Sequence, residues 1–417
     1  MLAKAEKCPV SEEYRSLAER LPSIAESAPL TFCGMSACID ATIKISDLEP
    51  FLNDACPPEA IAFASMLKQR AARGVGGEVR VEWPEGPTWL TERLSPRYSL
   101  GGTGPHAAWV LSTLGADAIL NLEDRSRHML SKLPEAVLLV EDGKLVSSGK
   151  ASARGTRRAN IFIFEYTAGI AIGNVVPRRS TRIIVRFDDP GLEHDSDFEA
   201  FTRDHAAIAG SGLVAGFSAI PEEMLDSELE RVFSLTRAWA AAGLKTIHLE
   251  MSGFQSAPPR DRIVDVIPGS GLTSIGMSHS EFLDMHPRGI ELHDLPRAMS
   301  AMGEWLGLRR VCVHADQWAV SVTRDNPEIE RQALMMGCLL ASSRAAAGQP
   351  VAPSNIPGHA HFDPLPFGSA SGPEGWNTVI VPSPYVARPV TTLGLGDTFT
   401  AGCLLILGVQ GCTRAKD

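Results

Sequence analysis

No run in this 417-residue sequence approaches the roughly 20 consecutive apolar residues that cross a bilayer, which argues against helical membrane spans. The start, Met1 to Ser11, lacks the basic-then-apolar pattern of a secretory signal. Metal-type cysteine spacing is also missing. The eight cysteines, at 8, 33, 38, 56, 312, 338, 403 and 412, form no C-x-x-C and no Cys/His cluster with zinc spacing. Most lie in apolar runs such as Val311-Cys312-Val313, where a thiol packs as a small core hydrophobe. That usage points to a reducing, cytoplasmic setting. Positive charge is in deficit: 39 Lys and Arg against 49 Asp and Glu give a net charge of -10. A general nucleic-acid surface is therefore not expected, although a local positive pocket for an anionic ligand remains compatible. No internal repeat or low-complexity tract is evident.

The second half of the chain alternates helices and strands. Pro221 opens an amphipathic stretch, with Met224, Leu225, Leu229, Val232, Phe233 and Leu235 on one helical face, and Gly243 closes it before a strand at 246–250. A helix around 260–266 precedes a strand at 273–277, and a helix at 295–306 precedes one at 310–314. Successive helix–strand units imply parallel strands with right-handed crossovers, hence a doubly wound α/β sheet. Ligands bind beyond the carboxyl ends of such strands, which directs attention to Glu250, Ser278, His314 and the Gly394 turn. In the first half, 32–45 reads as one apolar strand-like segment interrupted by Asp40, and 80–86 as extended and polar. Segments 160–166 and 182–187 read as antiparallel strands of a smaller sheet, with a turn at Gly173-Asn174 between them. A glycine loop leads into a helix at 107–114, and 351–376 reads as a long loop.

The most informative stretch runs from Thr392 to Gly402. Glycines 394 and 396 permit positive φ and unobstructed backbone N–H groups, and a helix starting near Asp397 would offer an anion site. Asp397 reads either as a base for an attacking hydroxyl or as an ordinary helix cap. His248 and Glu250 share one strand face, either as a structural pair or with Glu250 at a Mg²⁺ ion. Ser278 and Glu281 form an S-x-x-E capping box, which is sufficient reason for both. Among Arg178, Arg179, Arg182 and Arg186, the last two project from one sheet face, for a nucleotide phosphate or as a solvated basic edge. Asp40 within an apolar segment calls for partners or for a ligand's hydroxyls.

Taken in order, these elements resemble the ADP-dependent sugar kinases (glucokinases and phosphofructokinases) of the ribokinase-like superfamily. Thr392-Leu393-Gly394-Leu395-Gly396-Asp397-Thr398 is similar to that family's S-T-V-G-L-G-D-T signature, and His248-Leu249-Glu250 to its H-x-E element. Residues 161–166 resemble its I-F-E-F strand, 176–184 its V-P-R-A-N-R-F-I segment, and Gly34 through Asp40 its G-F-N-x-N-x-D strand. The resemblance implies a kinase of carbohydrate metabolism, in glycolysis, that transfers the β-phosphoryl of ADP to a sugar or sugar phosphate. It implies a mainly parallel, ribokinase-like sheet flanked by helices in a large domain (1–45, 99–150 and 191–417), with a small α/β lid (46–98 and 151–190). It casts Asp397 as base, with Gly394, Leu395 and Gly396 forming the anion hole. Arg182, Gly394 and Gly396 would hold the nucleotide, Asp40, Gly101, Gly102 and Ser36 the acceptor, and Glu250 and Glu281 Mg²⁺. Partners would be small molecules only, with no nucleic acid or membrane, and the protein a monomer or homodimer.

The sequence departs from the family at identifiable places. Ser278 and His279 replace the Asn and first Glu of N-E-x-E. Ser36 and Cys38 replace the asparagines of the sugar strand, and G-G-Q-A-G becomes Gly101-Gly102-Thr103-Gly104-Pro105. The acceptor pocket therefore differs from the usual one. Two other functions stand beside the leading one: an ATP-dependent small-molecule kinase of the ribokinase type, and a nucleotide- or sugar-binding protein without turnover.

Overall fold

The computed structural model describes residues 9–49, 56–178, 181–188, 191–254, 256–367 and 374–411. Cys8, Cys412 and Arg179 lie outside them. The main body is a ten-stranded sheet. From Arg310–His314 it runs through Ser274–Ser278, Thr246–Glu250, Ser211–Ala215, Thr31–Cys33, Ala118–Leu120 and Leu138–Glu141, all parallel. Antiparallel strands extend both edges: Trp318–Thr323 and Asn377–Pro382 at one, Lys144–Ser147 at the other. The inner strands are buried almost throughout, as strands covered on both faces are. Helices Leu225–Ala241 and Leu295–Leu306 pack their apolar faces on one side, and Pro327–Ala347 and Leu395–Gly411 cover the other. The last two approach closely because Gly402 lies against Gly337, where a Cβ would stand 2.8 Å from backbone.

The helix–strand alternation and the doubly wound parallel sheet stand as the pattern implied. Three local expectations change. Segment 32–45 is two strands: Thr31–Cys33 belongs to the large sheet, while Cys38–Lys44 belongs to a separate five-stranded sheet. The break falls at 34–37, where Gly34 and Met35 still donate to Leu213 and Ala215 as the chain leaves the large sheet. Asp40 does not interrupt its strand; it is paired with Ser99 and Ile161 within it. Segment 80–86 is not extended throughout. The strand is Gly77–Arg80, and buried Trp83 then anchors a turn into helix Gly86–Arg93. Finally, helix Thr103–Leu114 starts ahead of Ala107, because Gly102 at φ 92° turns the chain and Pro105 is tolerated in a first turn.

The smaller sheet runs Gly77–Arg80, Thr181–Arg186, Ile161–Tyr166, Cys38–Lys44 and Arg97–Gly101, with the second and third strands antiparallel. It therefore takes in Cys38–Lys44, ahead of residue 46. Phe63, Trp83, Phe164 and Phe187 form a compact aromatic contact beneath it.

Candidate active site

Helix Leu395–Gly411 begins directly after Gly394, whose φ is 68°. Thr398 N donates to Gly394 O, closing the first turn. The N–H groups ahead of it have no acceptor inside the helix and face outward at its positive end. Asp397 sits in that turn. Burial raises the pKa of its carboxyl, opposed by a hydrogen bond from Thr103 and the charge of Arg344. A half-buried carboxylate with a raised pKa, beside donors suited to an anion, can take a proton from a hydroxyl while a phosphoryl group is held.

At the carboxyl end of its strand, Glu250 gathers three donors. Oε2 accepts from His248 Nε2 (3.0 Å) and Thr400 Oγ1 (2.9 Å), and Oε1 faces His314 Nε2 at 3.4 Å. Burial alone would raise its pKa, but the two imidazoles hold it down to about 2. His314 shifts upward: burial opposes its charge, but Glu250, Glu281 and Asp397 outweigh that. Behind this group a buried relay continues from His248 through Ser274 (2.8 Å) to Arg310 (3.2 Å) and Glu330 (2.9 Å). Glu281 forms the expected capping box, accepting from Ser278 N at 2.7 Å. Its pKa is raised, by burial and then by Glu250 among others, which places the two carboxylates near each other.

Buried Glu250 and half-buried Glu281 supply the hard oxygen donors Mg²⁺ prefers, and they fit an ion held through water and a ligand's phosphates, its usual mode. Among the described residues no three His, Cys, Asp or Glu side chains converge on one point, so a closed protein cage does not form.

On the smaller sheet, Asp40 accepts from Cys38 Sγ at 3.5 Å, and burial pushes its pKa up to about 7. Gly101 pairs opposite Cys38, and Gly102 lies against Ser36, where a Cβ would stand 2.7 Å from Ser36 O. Arg182 reaches across to Thr392 Oγ1, just before the Gly394 turn, while its Nε is buried without a partner. Of the other arginines, Arg186 pairs with Glu78 while its charge still acts on Asp40, and Arg178 lines a surface groove with Arg73 and Asn174. The charge of Asp397 acts on both Asp40 and Arg182, and that of Glu250 acts on both Asp397 and Glu281, so these residues are linked electrostatically. Sequence reading named Thr103 only as part of the glycine loop 101–104 and missed Thr400 and Arg344. Arg344 left a signal, as a lone cation in the run of small and apolar residues 339–347.

The conserved region of ADP-specific phosphofructokinase/glucokinase matches residues 30–406. The ADP-specific phosphofructokinase of Thermococcus zilligii is 24% identical over 393 residues, 82% of this chain and 84% of that one. A phosphofructokinase from Pyrococcus horikoshii OT3, solved with AMP, superposes with a TM-score of 0.72 at 20% identity, over 91% of this chain and 97% of that one. An ADP-dependent kinase in complex with fructose-6-phosphate and ADPβS gives 0.78 at 18% identity, over 97% and 99%. These structures share the fold of this chain. With its conserved region matched over nearly the whole length, the chain belongs to the ADP-specific phosphofructokinase/glucokinase family.

Proposed function

We propose that this ADP-dependent sugar kinase uses Asp397 to deprotonate an acceptor hydroxyl, which then attacks the β-phosphorus of ADP and releases AMP. The carrying observation is the placement of a half-buried carboxylate inside the first turn of Leu395–Gly411, beside Gly394 and Gly396. Backbone N–H groups of that turn stabilise charge on the moving phosphoryl group. Arg182 approaches the turn from the smaller sheet and is placed for the nucleotide's phosphates, and the smaller sheet acts as a lid that excludes water. Glu250 and Glu281 would hold Mg²⁺ through water, and the ion would offset the charge of the diphosphate. Asp40, with Ser36, Gly101 and Gly102, binds the acceptor's hydroxyls. No described helix is long and apolar enough to cross a membrane, and the six described cysteines are free, which supports a cytoplasmic setting.

Incubation with Mg-ADP and a panel of sugars and sugar phosphates should yield AMP and one phosphorylated acceptor in equal amounts. Faster turnover with ATP, or nucleotide binding with no phosphorylated product, would sink this reading.

Gly101 offers a test of the acceptor side. A methyl there would collide with Asp40 Oδ1 and stand 2.6 Å from Cys38 Sγ. Gly101→Ala is expected to displace the carboxylate and lower kcat/KM for the acceptor by about 10²-fold, with the KM for ADP little changed. Equal losses for both substrates would argue against Asp40 as an acceptor ligand.

A further inference from the structure

Arg344 lies near the end of helix Pro327–Ala347, and its side chain is buried. Its guanidinium joins the first turns of two other helices. Nη1 donates to Thr398 Oγ1 (2.9 Å) in Leu395–Gly411, and Nη2 donates to His106 Nδ1 (3.2 Å) in Thr103–Leu114. Since arginine only donates, His106 Nδ1 must accept, so the imidazole is neutral. Its pKa agrees, driven well down by burial and by Arg344. Gly394 sits directly on the cation: a Cβ there would stand 2.5 Å from Nη2.

Arg344 therefore hydrogen-bonds a hydroxyl and a neutral ring, and its Nε is buried with no partner. The charge that offsets it is Asp397. Two positive helix ends point into the same region. Burying a cation beside them is costly unless an anion completes the arrangement. The Trp109 ring, its centroid 5.5 Å from the guanidinium carbon, adds a cation–π contact but no negative charge to offset the cation.

We propose that Arg344 is a positioning residue that keeps the Gly394–Asp397 turn electropositive and fixed to the helix carrying Thr103. The phosphoryl group then meets a field that already exists before it arrives. The inference rests on the phosphoryl-transfer reading of this turn.

Arg344→Met and Arg344→Lys test it, with kcat, the KM for ADP and thermal unfolding measured on each. In Arg344→Met, kcat should fall roughly 10- to 100-fold, less than for a directly contacting donor. The KM for ADP should stay within about threefold, with melting at or above that of the natural protein. Arg344→Lys keeps the charge and should restore kcat to within about threefold of the natural protein. Unchanged kcat in Arg344→Met, or equal losses in both variants, overturns the proposal. If Arg344→Met does not fold, Arg344→Lys decides: near-natural kcat supports the role of charge, and a larger loss refutes it. Failure of the unsubstituted protein to form AMP would instead remove the phosphoryl-transfer reading itself.

Discussion

Asp397→Asn should lower kcat by roughly 10²- to 10⁴-fold, the range a positioned general base contributes. The amide keeps the shape of the turn and cannot take the acceptor's proton. ADP binding should survive, because the N–H groups and Gly394 remain, so calorimetry with ADP should give nearly the same affinity. The pH profile supplies a second readout. Burial raises Asp397 above the ordinary carboxylate range, and the base works only when ionised. The natural protein should therefore gain activity with rising pH through that raised value, and the variant should lose this limb. Retention of a third of the activity in Asp397→Asn would rule out the assigned role.

Glu330→Ala should cost about 3–5 kcal/mol of stability, the penalty for leaving a buried charge without its partner. Glu330 and Arg310 are both buried, and Nε lies 2.9 and 3.0 Å from the two carboxylate oxygens. Arg310 Nη2 already has no partner, so nothing nearby would take over. The denaturant midpoint should fall sharply, as measured by tryptophan fluorescence in urea. Activity should fall as well at temperatures where the protein remains folded, since Arg310 supports Ser274 and hence His248 and Glu250. A midpoint near that of the natural protein would show that water or a neighbouring group replaces the carboxylate.

Much of this was legible in the chain. Period-two spacing put His248 beside Glu250, and the S-x-x-E pattern gave the cap at Ser278, because both are local consequences of backbone geometry. The helix–strand alternation after Pro221 carried the main sheet for the same reason. Segment 32–45 misled because apolarity is the same in both sheets. The switch between them at 34–37 depends on which strands wait on either side, Ser211–Ala215 in one sheet and Arg97–Gly101 in the other. Thr103 showed only as part of a glycine loop and Arg344 only as a lone cation, since the packing of three helices is what brings them to Asp397. The arginine cluster looked uniform in sequence, yet Arg186 is engaged by Glu78 while Arg182 reaches Thr392.

The crossings between the sheets have a mechanical meaning. The chain passes from one sheet to the other at 34–37 and again at 101–103, and these two passages lie on each other: a Cβ on Gly104 would stand 3.3 Å from Gly34, and one on Gly102 would stand 2.7 Å from Ser36 O. Ser36, Gly101 and Gly102 thus stand at once in the acceptor's proposed seat and in the joint between the two sheets. If the smaller sheet closes as the proposed lid, a sugar held there would bear on that joint directly, and Arg182, carried by the smaller sheet, would move with it. On that reading, seating the acceptor and bringing in the nucleotide's arginine would be one motion, and the nucleotide would tighten the acceptor in turn.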